Sequence, residues 1–214
     1  MTPEGMYNSL RRANAATPCD PFDGHVLACI FAAAADDVQR GGFFTDALGI
    51  CGASLRKNVE HYFPGVLPQL EPLELDRELV VEESERCLRE LLWRFRSRQT
   101  PLNSLLTLLL ARRATRSNHL WQDLGLTNRG ELSTLMARHF TQLSQRNNQD
   151  MKWKKFFYRM ICREDGFRMC VAPSCSECND FQVCFGDESG ESLLVRTRLT
   201  DEMSGIVSIA PAMA

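Results

Sequence analysis

The run LRELLWRFRSRQTPLNSLLTLLLARRAT, residues 88–115, decides the fold. Leu88, Leu91, Leu92 and Phe95 recur at the three- and four-residue spacing that lines up side chains on one stripe of an α-helix, with polar residues between them. Traced upstream through Leu79, the stripe predicts a helix from about Asp76 to Arg98. Thr100-Pro101 closes it, because the residue before a proline is pushed out of the helical region. The Leu-rich run from Asn103 to Thr115 predicts a second helix, apolar enough to belong to a core.

The same period continues on both sides. Upstream, a helix is expected from about His25 to Gln39, with Asp23 as its cap, Val26, Ile30, Ala33 and Ala34 on its apolar face, and Gly41-Gly42 as its stop. A shorter one runs from Leu55 to Phe63, capped by Ser54 and ended by Pro64-Gly65. Downstream, Glu131 to Gln145 aligns Leu132, Leu135, Met136, Phe140 and Leu143. A last helix runs from Met151 to Arg163 with Asp150 as its cap. After Gly166 the period vanishes, and only Leu193 to Leu199 offers a short strand or a loose segment. The expected fold is therefore all-α: a single helical domain with a C-terminal cysteine-rich metal-binding loop and an irregular tail. Its expected boundaries are an irregular leader at 1–22, a helical body at 23–166, the loop at 167–186 and the tail at 187–214. Leu48-Gly49-Ile50 with Leu55, Val59 and Phe63 echoes Leu124-Gly125-Leu126 with Leu132, Met136 and Phe140 once one gap is allowed. Both a duplicated helix-turn-helix and a chance alignment of helical periods account for that echo.

Composition narrows the function classes. At 214 residues the chain can bury one substantial core, and 44% hydrophobic with 24% charged residues is ordinary for a globular protein. The 25 Lys and Arg against 27 Asp and Glu disfavour a nucleic-acid binder, which would carry a basic excess. The N-terminus lacks a secretory pattern. The apolar stretches Val26–Ala35 and Leu105–Ala111 fall short of the roughly 20 residues that span a bilayer, so a soluble cytoplasmic protein is expected. Phosphate-binding glycine loops, the G-x-S-x-G elbow and HExxH are all missing, so nothing marks an enzyme.

Nine cysteines, an odd number, fit a disulfide framework poorly. Four fall between Cys170 and Cys184 in CVAPSCSECNDFQVC, spaced C-x4-C-x2-C-x5-C. Thiolates from one short loop can converge on one centre, and soft sulfur suits iron-sulfur clusters, zinc or copper(I). Zinc sites pair two knuckles across a longer spacer, whereas only Cys175 and Cys178 have knuckle spacing. The first three ligands repeat the plant-ferredoxin spacing, which favours an iron-sulfur type cluster held by Cys170, Cys175, Cys178 and Cys184. Lys152, Lys154, Lys155, Arg159, Arg163 and Arg168 precede them and would compensate anionic sulfur or attract an oxyanion. Whether Cys162, His119 or His139 joins the site stays open on spacing alone.

The stretch MKWKKFFYRMICREDGFRMCVAPSCSECNDFQVCFG, residues 151–186, resembles the signature region of the NifQ family. It joins the cysteine spacing to a WKKFFYR helix and a closing CFG. HLWQDLGLTNRGELSTLMARHF, residues 119–140, is similar to the family as well. The resemblance implies a cytoplasmic molybdenum donor, not a turnover enzyme, that carries a molybdenum-iron-sulfur cluster on Cys170, Cys175, Cys178 and Cys184. It further implies delivery of molybdenum toward the cofactor scaffold NifEN together with NifH, for nitrogenase iron-molybdenum cofactor assembly, and a basic helix suited to molybdate capture or partner docking. Two other readings use the same sulfurs: a ferredoxin-like electron carrier and a zinc-stapled interaction module.

Overall fold

An unbroken run of buried positions from Val26 to Ala35 sets the architecture. A helix apolar on every side must sit at the centre of a bundle rather than on its surface, and the computed structural model places it there. The structure describes residues 2–70, 75, 78–164, 184, 188, 192 and 193, and all regular structure among them is helical. In chain order the helices are α1 Pro3–Asn14, α2 Pro21–Gln39, α3 Phe44–Leu48, α4 Gly52–Tyr62, α5 Leu67–Leu70 and α6 Glu83–Arg94. They continue with α7 Pro101–Ala114, α8 Leu120–Asp123, α9 Arg129–His139, α10 Thr141–Arg146 and α11 Trp153–Glu164.

The second central helix is α7, whose Leu105, Leu106, Leu109, Leu110, Ala111 and Ala114 are all buried. Helix α2 packs on α1 and α3, while α7 packs on α3, α6 and α8, so the two apolar helices anchor the surrounding ones. Helix α11 docks on α6. The turn after α8 touches α2 so closely that a Cβ on Gly125 would lie 2.6 Å from the Cys29 carbonyl oxygen. Its φ of +71° also suits glycine. None of the described helices is long and apolar enough to cross a membrane.

Several boundaries differ from those expected. Residues 3–14 form a helix where an irregular leader was expected. Pro3 occupies a first-turn position, the Thr2 hydroxyl accepts from the Gly5 amide at 3.1 Å, and Met6 and Leu10 are buried. Helix α2 starts at Pro21, not near His25. Its cap is Asp20, whose carboxylate accepts from the amides of Phe22 at 2.9 Å and Asp23 at 3.4 Å. Asp23 is inside the helix and buried, with its Oδ1 2.9 Å from His139 Nε2 in a hydrogen bond. Helix α4 begins at Gly52, ahead of Ser54, and α6 begins only at Glu83. Helix α7 starts at Pro101 under a Thr100 cap.

The helix expected from Glu131 to Gln145 is broken into α9 and α10 at Phe140, with φ −138° and ψ 50°. The His139 carbonyl there accepts from the Ser97 amide at 2.8 Å and from Asn103 Nδ2 at 3.1 Å. Those donors hold the carbonyl from outside the helix, while Phe140 and Leu143 stay buried on either side of the break. Helix α11 begins at Trp153, and Asp150 has φ 54° rather than a capping conformation. The echo between the halves has a structural counterpart. In each, a short helix is followed within two residues by a left-handed glycine, Gly49 at φ +67° or Gly125 at φ +71°, and the next helix closes on a buried phenylalanine. Phe63, with φ −142° and ψ 61°, matches Phe140 in backbone shape.

Candidate metal centre

Helix α11 carries the chain toward the cysteines, and three aromatic side chains fix it. Trp153, Phe156 and Phe157 are buried and mutually packed, with Trp153 edge-on to Phe156 at 5.8 Å between ring centroids. On the opposite flank Lys154 is drawn inward. Its ammonium reaches Asp123 Oδ2 at 2.5 Å and the Arg116 carbonyl at 2.6 Å. Burial pulls the Lys154 pKa down, and Asp123 opposes that shift. Asp123 also accepts from Asn118 Nδ2 at 3.0 Å, and its carbonyl receives Arg113 Nε at 2.5 Å. Arg113 in turn pairs with Asp37 on α2. One acidic residue thus joins α7, α8 and α11, and through Arg113 reaches the central helix.

Cys170, Cys175 and Cys178 lie outside the described residues. Cys184 is described: half-buried, it packs against the core, and its carbonyl accepts from the Lys152 amide at 2.8 Å. The chain therefore leaves α11 at Glu164 and is back beside the start of that helix at Cys184. Among the described residues no three His, Cys, Asp or Glu side chains gather as a metal would require. Cys162 lies in the last turns of α11, half-buried. Part of the expected strand or loose segment at 193–199, and most of the tail, also lie outside the described residues.

The two histidines left open by spacing part company. His139 is buried against Asp23 and belongs to the α2–α9 contact. His119 stands at the α7–α8 turn, with Nδ1 3.4 Å from Glu188 Oε1, and Glu188 follows Cys184 by four residues. Arg129 Nη1 holds the other Glu188 oxygen at 2.6 Å. Ser117, Asn118, His119, Lys152, Lys155 and Glu188 surround a cavity of about 530 Å³, which Lys154 also borders. Sequence reasoning found the lysines and left His119 undecided, but missed Asp123 and Glu188. A carboxylate that pairs across the fold carries no spacing signal of its own.

Among the described residues, Cys29 is the cysteine that lies against a histidine in the core. Cys29 is fully buried beside His25, 3.7 Å from its ring nitrogens, and burial pushes its thiol far above the ordinary range. His25 also meets the Tyr7 hydroxyl at 2.9 Å and Glu131 Oε1 at 3.4 Å. A protonated thiol shut away from solvent is a packing residue, not a nucleophile.

Residues 26–186 match the sequence profile of the NifQ family. The chain is 38% identical over 172 residues to the protein NifQ homolog of Sinorhizobium fredii, a match covering 80% of this chain and 75% of the relative. It is 37% identical over 147 residues to protein NifQ of Rhodobacter capsulatus, covering 69% of this chain and 80% of that one. Over a shorter stretch of 69 residues it is 52% identical to protein NifQ of Klebsiella pneumoniae, covering 32% of this chain and 41% of that protein. No solved structure matches.

Proposed function

Because the chain belongs to the NifQ family, we propose that it carries and donates molybdenum for nitrogenase iron-molybdenum cofactor biosynthesis. The metal travels as part of a molybdenum-iron-sulfur cluster on Cys170, Cys175, Cys178 and Cys184. The acceptors are the cofactor-assembly proteins NifEN and NifH, and the protein acts as a donor with no turnover chemistry of its own. The observation that carries the reading is a four-thiolate run lying wholly inside the family match. Sulfur donors of that number suit iron and molybdenum sulfide chemistry, and a closely spaced set can release one metal while the other ligands keep the carrier whole.

The body supports that task through α11. The positive end of a helix dipole faces anions, and Cys184 is hydrogen-bonded through its carbonyl to Lys152, immediately before the first turn of α11. A sulfur centre that includes Cys184 would meet partial positive charge there. Replacing Cys175 or Cys178 by Ala is expected to abolish iron and sulfide retention and leave the far-ultraviolet circular dichroism of the helical body unchanged. A globally unfolded variant would instead make the site a structural staple and overturn the separation of carrier body from cargo loop.

A further inference from the structure

We propose that a second copy of this chain docks along α6, in a two-fold contact that sets Trp93 of each copy against Val80 and its neighbouring carboxylates on the other. The contact goes beyond the molybdenum reading and does not depend on it. Among the described residues, Val80 and Trp93 are the large apolar side chains left exposed, at 65% and 49%. Both are held in place. The Val80 carbonyl accepts from Arg112 Nη2 at 2.6 Å. Arg96 lies over the Trp93 ring at 3.6 Å, and its Nη1 donates to the Trp93 carbonyl at 3.1 Å. Val80 stands just before the first turn of α6 and Trp93 in its last turn, at opposite ends of a helix whose 12 residues span about 18 Å.

Charge identifies the occupant. Val80 borders a cavity of about 570 Å³ with Glu78 and Glu82, whose exposed carboxylates have no ion-pair partner among the described residues. Asp46 borders it as well, while the two arginines on its wall, Arg112 and Arg116, are paired with Glu85 at 2.9 Å and Asp37 at 3.3 Å. At the other end of α6, Arg96 covers Trp93, Arg98 is exposed and Arg146 lies over Phe95 at 4.5 Å. None of these three guanidinium groups has a carboxylate partner among the described residues. The sequence keeps acid away from this end: no Asp or Glu occurs from Leu91 to Gln122 or from Leu132 to Gln149. The two acid-free stretches meet where the Thr141 amide donates to Ser97 Oγ at 2.8 Å. One exposed apolar side chain is thus ringed by carboxylates and the other by arginines, and across a two-fold axis each copy offers its partner both. Glu82 and Trp93 are eleven residues apart, about three helical turns, so the two ends present to the same side of α6 and two copies can lie antiparallel. An unrelated acidic protein would cover only the Trp93 end and leave Val80 bare.

Sedimentation equilibrium of the full chain over a concentration series tests the contact. Wild type is expected to pass reversibly from monomer to dimer, and the dimer to weaken as salt rises. Trp93→Ala is expected to raise the dimer dissociation constant at least about tenfold, since a tryptophan beside arginine is the chemistry of an interface hot spot. Glu82→Arg or Arg98→Glu alone is expected to raise it several-fold. Both changes on one chain are expected to recover most of that loss, because the opposed charges are then exchanged and not removed. All three positions are exposed, and Glu82 makes no side-chain hydrogen bond at the start of α6, so circular dichroism is expected to stay at the wild-type value. Should Trp93→Ala fail to fold, Val80→Ser, at an equally exposed position, is expected to weaken the dimer in its place. A wild type that stays monomeric, a dimer unchanged by Trp93→Ala and by both charge reversals, or assembly beyond a dimer overturns the pairing. A monomeric wild type that binds poly-glutamate through Trp93, read as a fluorescence change absent in Trp93→Ala, gives that end of α6 to an acidic partner and overturns it too.

Discussion

Glu131 on α9 ties that helix to His25 on α2 and accepts from the Thr127 amide. Burial raises its pKa, but the His25 contact and the Thr127 amide outweigh that, leaving it below the ordinary carboxylate range. A carboxylate depressed in the folded state adds stability that is complete above the unfolded value, near pH 4.3, and disappears as pH falls through the folded value. Urea midpoints measured from pH 6 to pH 3 are therefore expected to fall less steeply in Glu131→Gln than in wild type. An identical acid slope in both would show that Glu131 gains nothing from His25. At this scale sequence and structure agree unevenly. The cysteines and the α11 lysines are visible as residue types in a row. Asp123, which joins Lys154 to Asn118 and Arg113, stands out only once helices distant in sequence are adjacent.

At the scale of elements, α11 decides whether the cysteine segment has a fixed base. Its apolar face, Trp153, Phe156, Phe157 and Met160, is buried, and Phe157 is completely so. Phe157→Ala is expected to cost about 3–5 kcal/mol of stability, read as a lowered urea midpoint with an unchanged slope. A loss below about 1 kcal/mol would mean that α11 is not docked as described. The existence of the long helices was legible because apolar periodicity survives almost any boundary shift. Their ends were not, for identifiable reasons. Pro3 and Pro21 read as interruptions in sequence but occupy first-turn positions, where a missing amide proton costs nothing. The break at Phe140 is invisible in the pattern because both sides of it face the core, and its cause is a pair of donors, Ser97 and Asn103, from another part of the chain. The short helices α3, α5 and α8 are too brief to show a period at all.

At the scale of the whole molecule, a helical bundle is built around the apolar α2 and α7, and Cys184 and Glu188 return to the start of α11 and to the α7–α8 turn. The most direct test is elemental and sulfide analysis of the protein purified without oxygen from a host supplied with molybdate. Iron, inorganic sulfide and molybdenum are expected together in one protein fraction. Iron and sulfide without molybdenum, or a colourless protein with stoichiometric zinc, would contradict the molybdenum-donor reading.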